Sequence, residues 1–320
     1  MSAPAAEPHA WHFDLRTIVS MSMLVAIVLL LWFQAPSFFR MNNAVNVLVQ
    51  SSTLAILALG MAVVMIGGGI DLSLPANMAL SAILGGLWMQ GGGSPVLGVA
   101  IMLVAGTGVG FLNGAAVAYL QMIPFVVTLA SMTIATGLSV WLTNSVSVSQ
   151  FPEVYFDVLL ARPFGLPVSV LVAVVATLAV GLVMNRTRFG RHDYAIGTSV
   201  RAARVARVPA QATLLASYAL AGLMAGLSAV LLSARLGSAS ANMGVDSIVL
   251  DIVSAVVVGG ISIYGGAGKP LGAVIGAIFI TTLSNGLNLL GASFYLSLVV
   301  KGFVIIALIA IENMGGKKSP

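Results

Sequence analysis

The sequence has no cysteine, three histidines and, in 320 residues, only 14 Lys plus Arg and 9 Asp plus Glu. Without cysteine there is no disulfide, no thiolate zinc site, no iron–sulfur cluster and no thiol nucleophile, and the redox compartment is not legible. His9, His12 and His192 all stand in polar segments, which excludes a histidine metal cluster inside an apolar interior. A phosphate-binding GxxxxGK[ST] is also lacking, since Gly268-Lys269-Pro270 fails both its spacing and its final hydroxyl. If nucleotide energy is used, another chain supplies it.

The scarcity of charge is most telling where it is total. Residues 72–152, 81 in succession, include no Asp, Glu, Lys or Arg, and 59% of the whole chain is hydrophobic. No water-facing surface is built that way. A bilayer core of about 30 Å takes roughly 20 apolar residues of α-helix to cross, at about 1.5 Å per residue. The sequence therefore predicts an all-α, polytopic transmembrane helix bundle. Apolar runs fall at 17–33, 45–66, 74–89, 96–120, 125–142, 166–184, 212–232, 248–263, 271–290 and 294–311, ten segments in all. The first is followed by bulky and polar residues 34–40 rather than a small-residue cleavage site, so it reads as a retained span. The organisation expected is a tail at 1–16, a membrane domain at 17–312 carrying a basic loop at 185–210, and a second tail at 313–320.

That loop explains the net charge of +5, which by itself resembles a nucleic-acid signal. Arg186, Arg188, Arg191, Arg201, Arg204 and Arg207 stand there against the single acid Asp193. Loops rich in Lys and Arg stay in the cytoplasm. Strict alternation from that loop also puts Arg16, Lys269, Lys317 and Lys318 inside, and only Arg40, Arg162 and Arg235 outside. Both termini are then cytoplasmic, and membrane lipid rather than nucleic acid is the partner of the charge.

Two runs, 74–89 and 248–263, have 16 residues each, about 24 Å of helix. Each adjoins glycines: Gly67-Gly68-Gly69 before the first, Gly259-Gly260 and Gly265-Gly266 around the end of the second. Short, Gly-interrupted segments point to broken helices beside a transport path. Asp71 follows the first glycine cluster, where a carboxylate either satisfies a helix start or faces a cavity. Asn77, Asn113, Thr128, Ser131, Asn285 and Asn288 are polar residues within apolar runs. They serve as interhelical hydrogen bonds or as a lining for a polar, uncharged solute. In the basic loop, Thr198 or Ser199 can cap a short helix running to about Arg207, with Arg201 and Arg204 on one face and Pro209 ending it. Such a capped helix reads as a docking element for a cytoplasmic partner.

From about residue 45 to 311 these features, in this order, resemble the ribose/xylose/autoinducer-2 type of ATP-binding-cassette importer permease. The stretches that carry the likeness are Gly68-Gly69-Ile70-Asp71-Leu72-Ser73, Asn113-Gly114 with Pro124-Phe125-Val126-Val127-Thr128, Gly190-Arg191 with Tyr194-Ala195-Ile196-Gly197 and Ala202-Ala203-Arg204, Val258-Gly259-Gly260 with Gly265-Gly266, and Asn285-Gly286-Leu287-Asn288. Pro75, Val249 and Arg207 depart from the family's pattern, as does Ile261.

The resemblance implies a multi-pass protein of the bacterial inner membrane that moves a small polar solute, a monosaccharide or polyol, and catalyses no covalent chemistry itself. ATP and Mg would be held by cassette ATPase subunits or a tandem ATPase; a solute-binding protein and a second permease copy, identical or paralogous, would complete the importer. The residues expected along the path are Asp71, Ser73, Asn77, Asn113, Phe125, Thr128, Asn285 and Asn288. Tyr194, Arg201, Ala202, Ala203, Arg204 and Arg207 would belong to the ATPase-coupling loop. The other expectations left open are a branched-chain amino-acid permease of the same superfamily and a self-sufficient ion-coupled transporter.

Overall fold

The computed structural model describes residues 36–243 and 245–315, and every regular element among them is helical. In chain order these are α1 (Met41–Ile66), α2 (Leu74–Gln90), α3 (Pro95–Ala118), α4 (Pro124–Thr143), α5 (Glu153–Leu159), α6 (Val168–Arg186), α7 (Arg188–Thr198), α8 (Val200–Val205), α9 (Ala210–Leu236), α10 (Val245–Val258), α11 (Pro270–Leu289) and α12 (Phe294–Gly315). Proline at the first or second position starts α2, α3, α4 and α11, where its missing N–H has no helical partner to lose. Six helices, α1, α3, α4, α6, α9 and α11, are long and apolar enough to cross a membrane. The predicted run at 17–33 lies outside the described residues.

The two segments expected to be short are short. Helix α2 has 17 residues and α10 has 14, about 26 and 21 Å at the α-helical rise. For α10 the prediction of 248–263 is corrected: the helix ends at Val258, because Gly259 begins a turn and Gly260 takes φ +78°. Residues 259–269 form a loop instead. Two helices were not anticipated. The segment Glu153–Leu159 forms α5, which inserts Tyr155 so that its hydroxyl meets the Val230 carbonyl at 2.9 Å and Ser233 Oγ at 2.8 Å. The other is α7, which precedes the expected loop helix.

Helix α1 is the centre of the bundle. It is buried on all sides from residue 51 through 67 and is surrounded by α9, α11, α6 and α10. Apolar tails of lipid compete with apolar side chains inside a membrane, so close helix pairs depend on small residues that let backbones touch. The pair α3–α9 does this with Gly106 and Gly110 set against Gly222 and Gly226: a Cβ on Gly110 would fall 2.2 Å from the Tyr218 carbonyl oxygen. Between α6 and α9, by contrast, an apolar groove of about 470 Å³ is lined by side chains such as Leu171, Val175, Leu220 and Leu227.

Among the described residues, one ion pair lies among the apolar helices. Lys301 Nζ of α12 donates to both carboxylate oxygens of Asp251 on α10, at 2.8 and 3.0 Å, with the two side chains 8% and 17% exposed. Removing one partner leaves a charge in an apolar setting, which typically costs about 3–5 kcal/mol, whereas replacing both by apolar groups is often neutral. Lys301→Met should therefore lower the unfolding temperature in detergent sharply, and Lys301→Met with Asp251→Leu should recover most of the loss. Equal, additive losses from the two substitutions would show that the pair does not act as a unit.

Candidate functional site

The break between α1 and α2 is held by hydroxyl, amide and carboxylate groups from four helices. After Ile66 the chain unwinds through Gly67, Gly68 and Gly69, with Gly68 at φ +85°. Backbone groups that leave the helical ladder beside a packed interior need other partners, and they have them. The Gly68 and Gly69 N–H groups donate back to Met65 and Val64 carbonyls, both at 2.9 Å. The Ile70 carbonyl accepts from the Tyr218 hydroxyl of α9 at 3.3 Å, and Thr128 Oγ1 of α4 lies 3.4 Å from it, its one proton shared with the nearer Pro124 carbonyl at 3.0 Å. Asp71 Oδ1 accepts from the backbone N–H of Ser73 at 3.0 Å and from its hydroxyl at 2.5 Å. Asn113 of α3 donates to Ser73 Oγ at 2.9 Å, and Ser131 of α4 donates to Asn113 Oδ1. Below it, Asn77 Nδ2 donates to the Gly106 carbonyl at 2.9 Å.

The residues expected along a path thus divide. Asp71, Ser73 and Asn113 are joined in one buried network with Ser131 at its edge, Thr128 lies against the neighbouring Ile70 carbonyl, and Asn77, also buried, bonds separately to Gly106 and Ser81. Phe125 is near the same place at the start of α4, but 52% exposed. Asn285 and Asn288 are elsewhere. Asn285 and Asn43 exchange amide hydrogen bonds of 2.9 and 3.0 Å between α11 and the first turn of α1, and Asn288 is exposed. Asp71 Oδ2 is buried with no hydrogen-bond partner. The network's visible chemistry is to fix an unwound segment against α3, α4 and α9; its hydroxyls and amides are taken up by one another and by backbone carbonyls.

The basic loop forms a second centre. Ser199 Oγ accepts from Ala202 N–H at 3.2 Å and so caps α8 as expected, and Arg207 stands at φ +54° just beyond it. Arg201, Ala202, Arg204 and Arg207 are exposed, as are Val200 and Val205, the latter by 82%. Ala203 faces inward and is buried. Tyr194 of α7 is half-buried and donates its hydroxyl to the Gly268 carbonyl at 2.7 Å.

Reading the sequence did not single out Asp193 as a site, although it is the lone acid among six arginines of that loop. It is fully buried, with Oδ1 accepting from Ser217 Oγ of α9 at 2.8 Å and Oδ2 unpartnered. Tyr218 and Lys301 were missed as well. A tyrosine in an apolar run and a lysine in another are the available signals, but neither reveals its partner.

Burial pushes the Asp193 carboxyl up from 3.8 to about 7, against the opposite pull of the Ser217 hydroxyl. Tyr194 next to it is raised by burial and then by the Asp193 charge. Over the range from about 4 to about 7 the folded form keeps a proton that the unfolded chain has released, so stability falls as pH rises through that window and is level above it. Asp193→Asn should abolish this dependence. Its unfolding temperature relative to the parent should rise between pH 5 and pH 7 and level off above that, and an unchanged difference across that range would contradict the assignment.

Residues 43–309 match the family model described as "Branched-chain amino acid transport system / permease component". The ribose import permease protein RbsC of Bacillus subtilis is 36% identical over 309 residues, covering 94% of this chain and 95% of that one. RbsC of Escherichia coli K12 is 34% identical over 308 residues, 95% of each chain. The D-allose transport system permease protein AlsC of the same organism is 33% identical over 298 residues, 92% and 91% of the two chains. No solved structure matches. With the family model matched over most of the chain, and sugar permeases aligned nearly end to end, the chain belongs to this family of transport-system permeases.

Proposed function

We propose that the chain is the membrane-spanning subunit of a cassette importer for a monosaccharide, working with ATPase subunits and a solute-binding protein. The observation that carries this is the similarity to ribose and allose permeases across more than nine tenths of both chains. The family description is broader and includes branched-chain amino acids, but the relatives named here move sugars. The chain is a multi-pass protein of the bacterial inner membrane and is a transport component rather than an enzyme.

The finer arrangement follows from the same reading. Ten crossings, counting 17–33, put both termini and the α7–α8 loop in the cytoplasm, where the arginines of α8 belong by the positive-inside rule. A second copy of the permease, identical or paralogous, completes the path, with the network around Asp71 beside it and Phe125 facing it. Helix α8 is then the ATPase contact: Val200 and Val205, exposed outside any apolar span, suit a protein partner better than water or lipid headgroups.

Proteoliposomes test the function. With the cognate ATPase inside and loaded binding protein outside, sugar uptake should require ATP, and uptake driven by an ion gradient without ATPase would overturn the proposal. The docking surface has its own test. Ala202 is exposed and Ala203 is not, so Ala202→Trp adds bulk at the contact without disturbing the loop. It should remove ATPase copurification, while Arg204→Lys, which retains charge but loses the planar guanidinium fork, should weaken it by a smaller margin. Parental copurification of Ala202→Trp would place the ATPase contact elsewhere.

A further inference from the structure

Three glycine-bearing segments from distant parts of the sequence meet backbone to backbone beside α7. The first is the end of α1, where the Ile66 carbonyl accepts from Gly266 N–H at 2.8 Å. The second is the 259–269 loop, in which Gly265 and Gly266 take φ +87° and +71°. The third is α7 itself. A Cβ on Gly197 would fall 1.9 Å from the Ile66 carbonyl oxygen and 2.5 Å from Gly266 N, and a Cβ on Gly265 would fall 2.8 Å from the Gly68 Cα. Two side chains of α7 reinforce the contact on either side. Tyr194 donates to the Gly268 carbonyl, and Asp193 fills the space next to Gly67, where a Cβ would lie 2.6 Å from its Oδ1.

This junction touches both interruptions of the bundle. Five residues past Ile66 is Asp71, and the loop that holds Gly265 and Gly266 connects the short α10 to α11. Helix α7 leads directly into α8, with only Ser199 between them. Backbone meets backbone directly at Gly197 against Ile66 and Gly266 and at Gly265 against Gly68, so there is little that can be compressed at those points. Interfaces of this kind shift as units rather than deforming gradually.

We propose that α7, the Gly67–Gly69 break and the 259–269 loop move as one rigid body during transport, so that a displacement of α8 reaches both interruptions together. Tyr194 is the positioning residue that holds the loop to α7. The inference rests on α8 being the ATPase contact proposed above. It adds that the motion is divided between two breaks rather than passed to one.

The chain has no cysteine, so a spin-label pair can be introduced cleanly at the exposed Arg188 and Tyr264, one on α7 and one on the loop. In the complete complex with ATPase and binding protein, the distance distribution between Arg188→Cys and Tyr264→Cys should be the same in the nucleotide-free and ATP-bound states. With Tyr194→Phe added, which removes one hydroxyl and retains the ring, that distribution should broaden on ATP binding. Sugar moved per ATP should fall about three- to tenfold, the effect expected of one hydrogen bond, with ATPase copurification unchanged and the unfolding temperature lowered by no more than about 4 °C. A distance that changes with nucleotide in the parent as much as in Tyr194→Phe would overturn the proposal, as would parental coupling in the variant. Loss of copurification in Tyr194→Phe alone would also overturn it, by moving Tyr194 to the docking surface. Failure of the parent itself to retain ATPase would instead refute the docking role of α8.

Discussion

The structure depends on backbone contact where no Cβ can fit. The end of α1, the α7 helix and the loop after α10 converge at Ile66, Gly197 and Gly266, and a single methyl group on Gly197 would overlap the Ile66 carbonyl oxygen. Between helices that cross a membrane, as α1 does, there is little hydrophobic drive to press them together, because lipid tails are as apolar as leucine side chains. Close approach and hydrogen bonds have to supply what burial does in water. The same device recurs between α3 and α9, where Gly106 and Gly110 face Gly222 and Gly226.

Once α1 is brought to that junction, the unwound stretch after it needs hydrogen-bond partners. The Tyr218 and Thr128 hydroxyls cover the Ile70 carbonyl, and the Asp71–Ser73–Asn113–Ser131 chain ties the start of α2 to α3 and α4. A break in the helix therefore becomes a fixed point joined to three neighbours.

Much of the fold was legible because it rests on local signals. Proline and glycine punctuation located α2, α3, α4 and α11 to within a residue or two, since those helices begin where Pro can sit without losing a hydrogen bond. The shortness of α2 and α10 was readable from the same glycines, and the cap of α8 from Ser199. Asp71, Asn113 and Thr128 meet around the unwound segment after α1, whereas Asn285 pairs with Asn43. What stayed hidden depends on partners far apart in sequence. Nothing near Asp193 indicates that Ser217 will receive it in a buried site, nothing near Lys301 indicates Asp251, and α7 looks like polar loop until Gly197 is seen pressed against α1.

The central claim is that direct backbone contact at Gly197 organises the bundle. Gly181 of α6 is the natural control, because it is also helical and a Cβ there would meet nothing within 4 Å. Alanine is favoured over glycine in a helix by up to about 1 kcal/mol, so local propensity alone would make both Gly181→Ala and Gly197→Ala slightly more stable than the parent. The measurement is the unfolding temperature of the two variants, purified side by side in the same detergent. Gly181→Ala should match or exceed the parent, and Gly197→Ala should unfold well below it. Equal behaviour of the two would contradict the account.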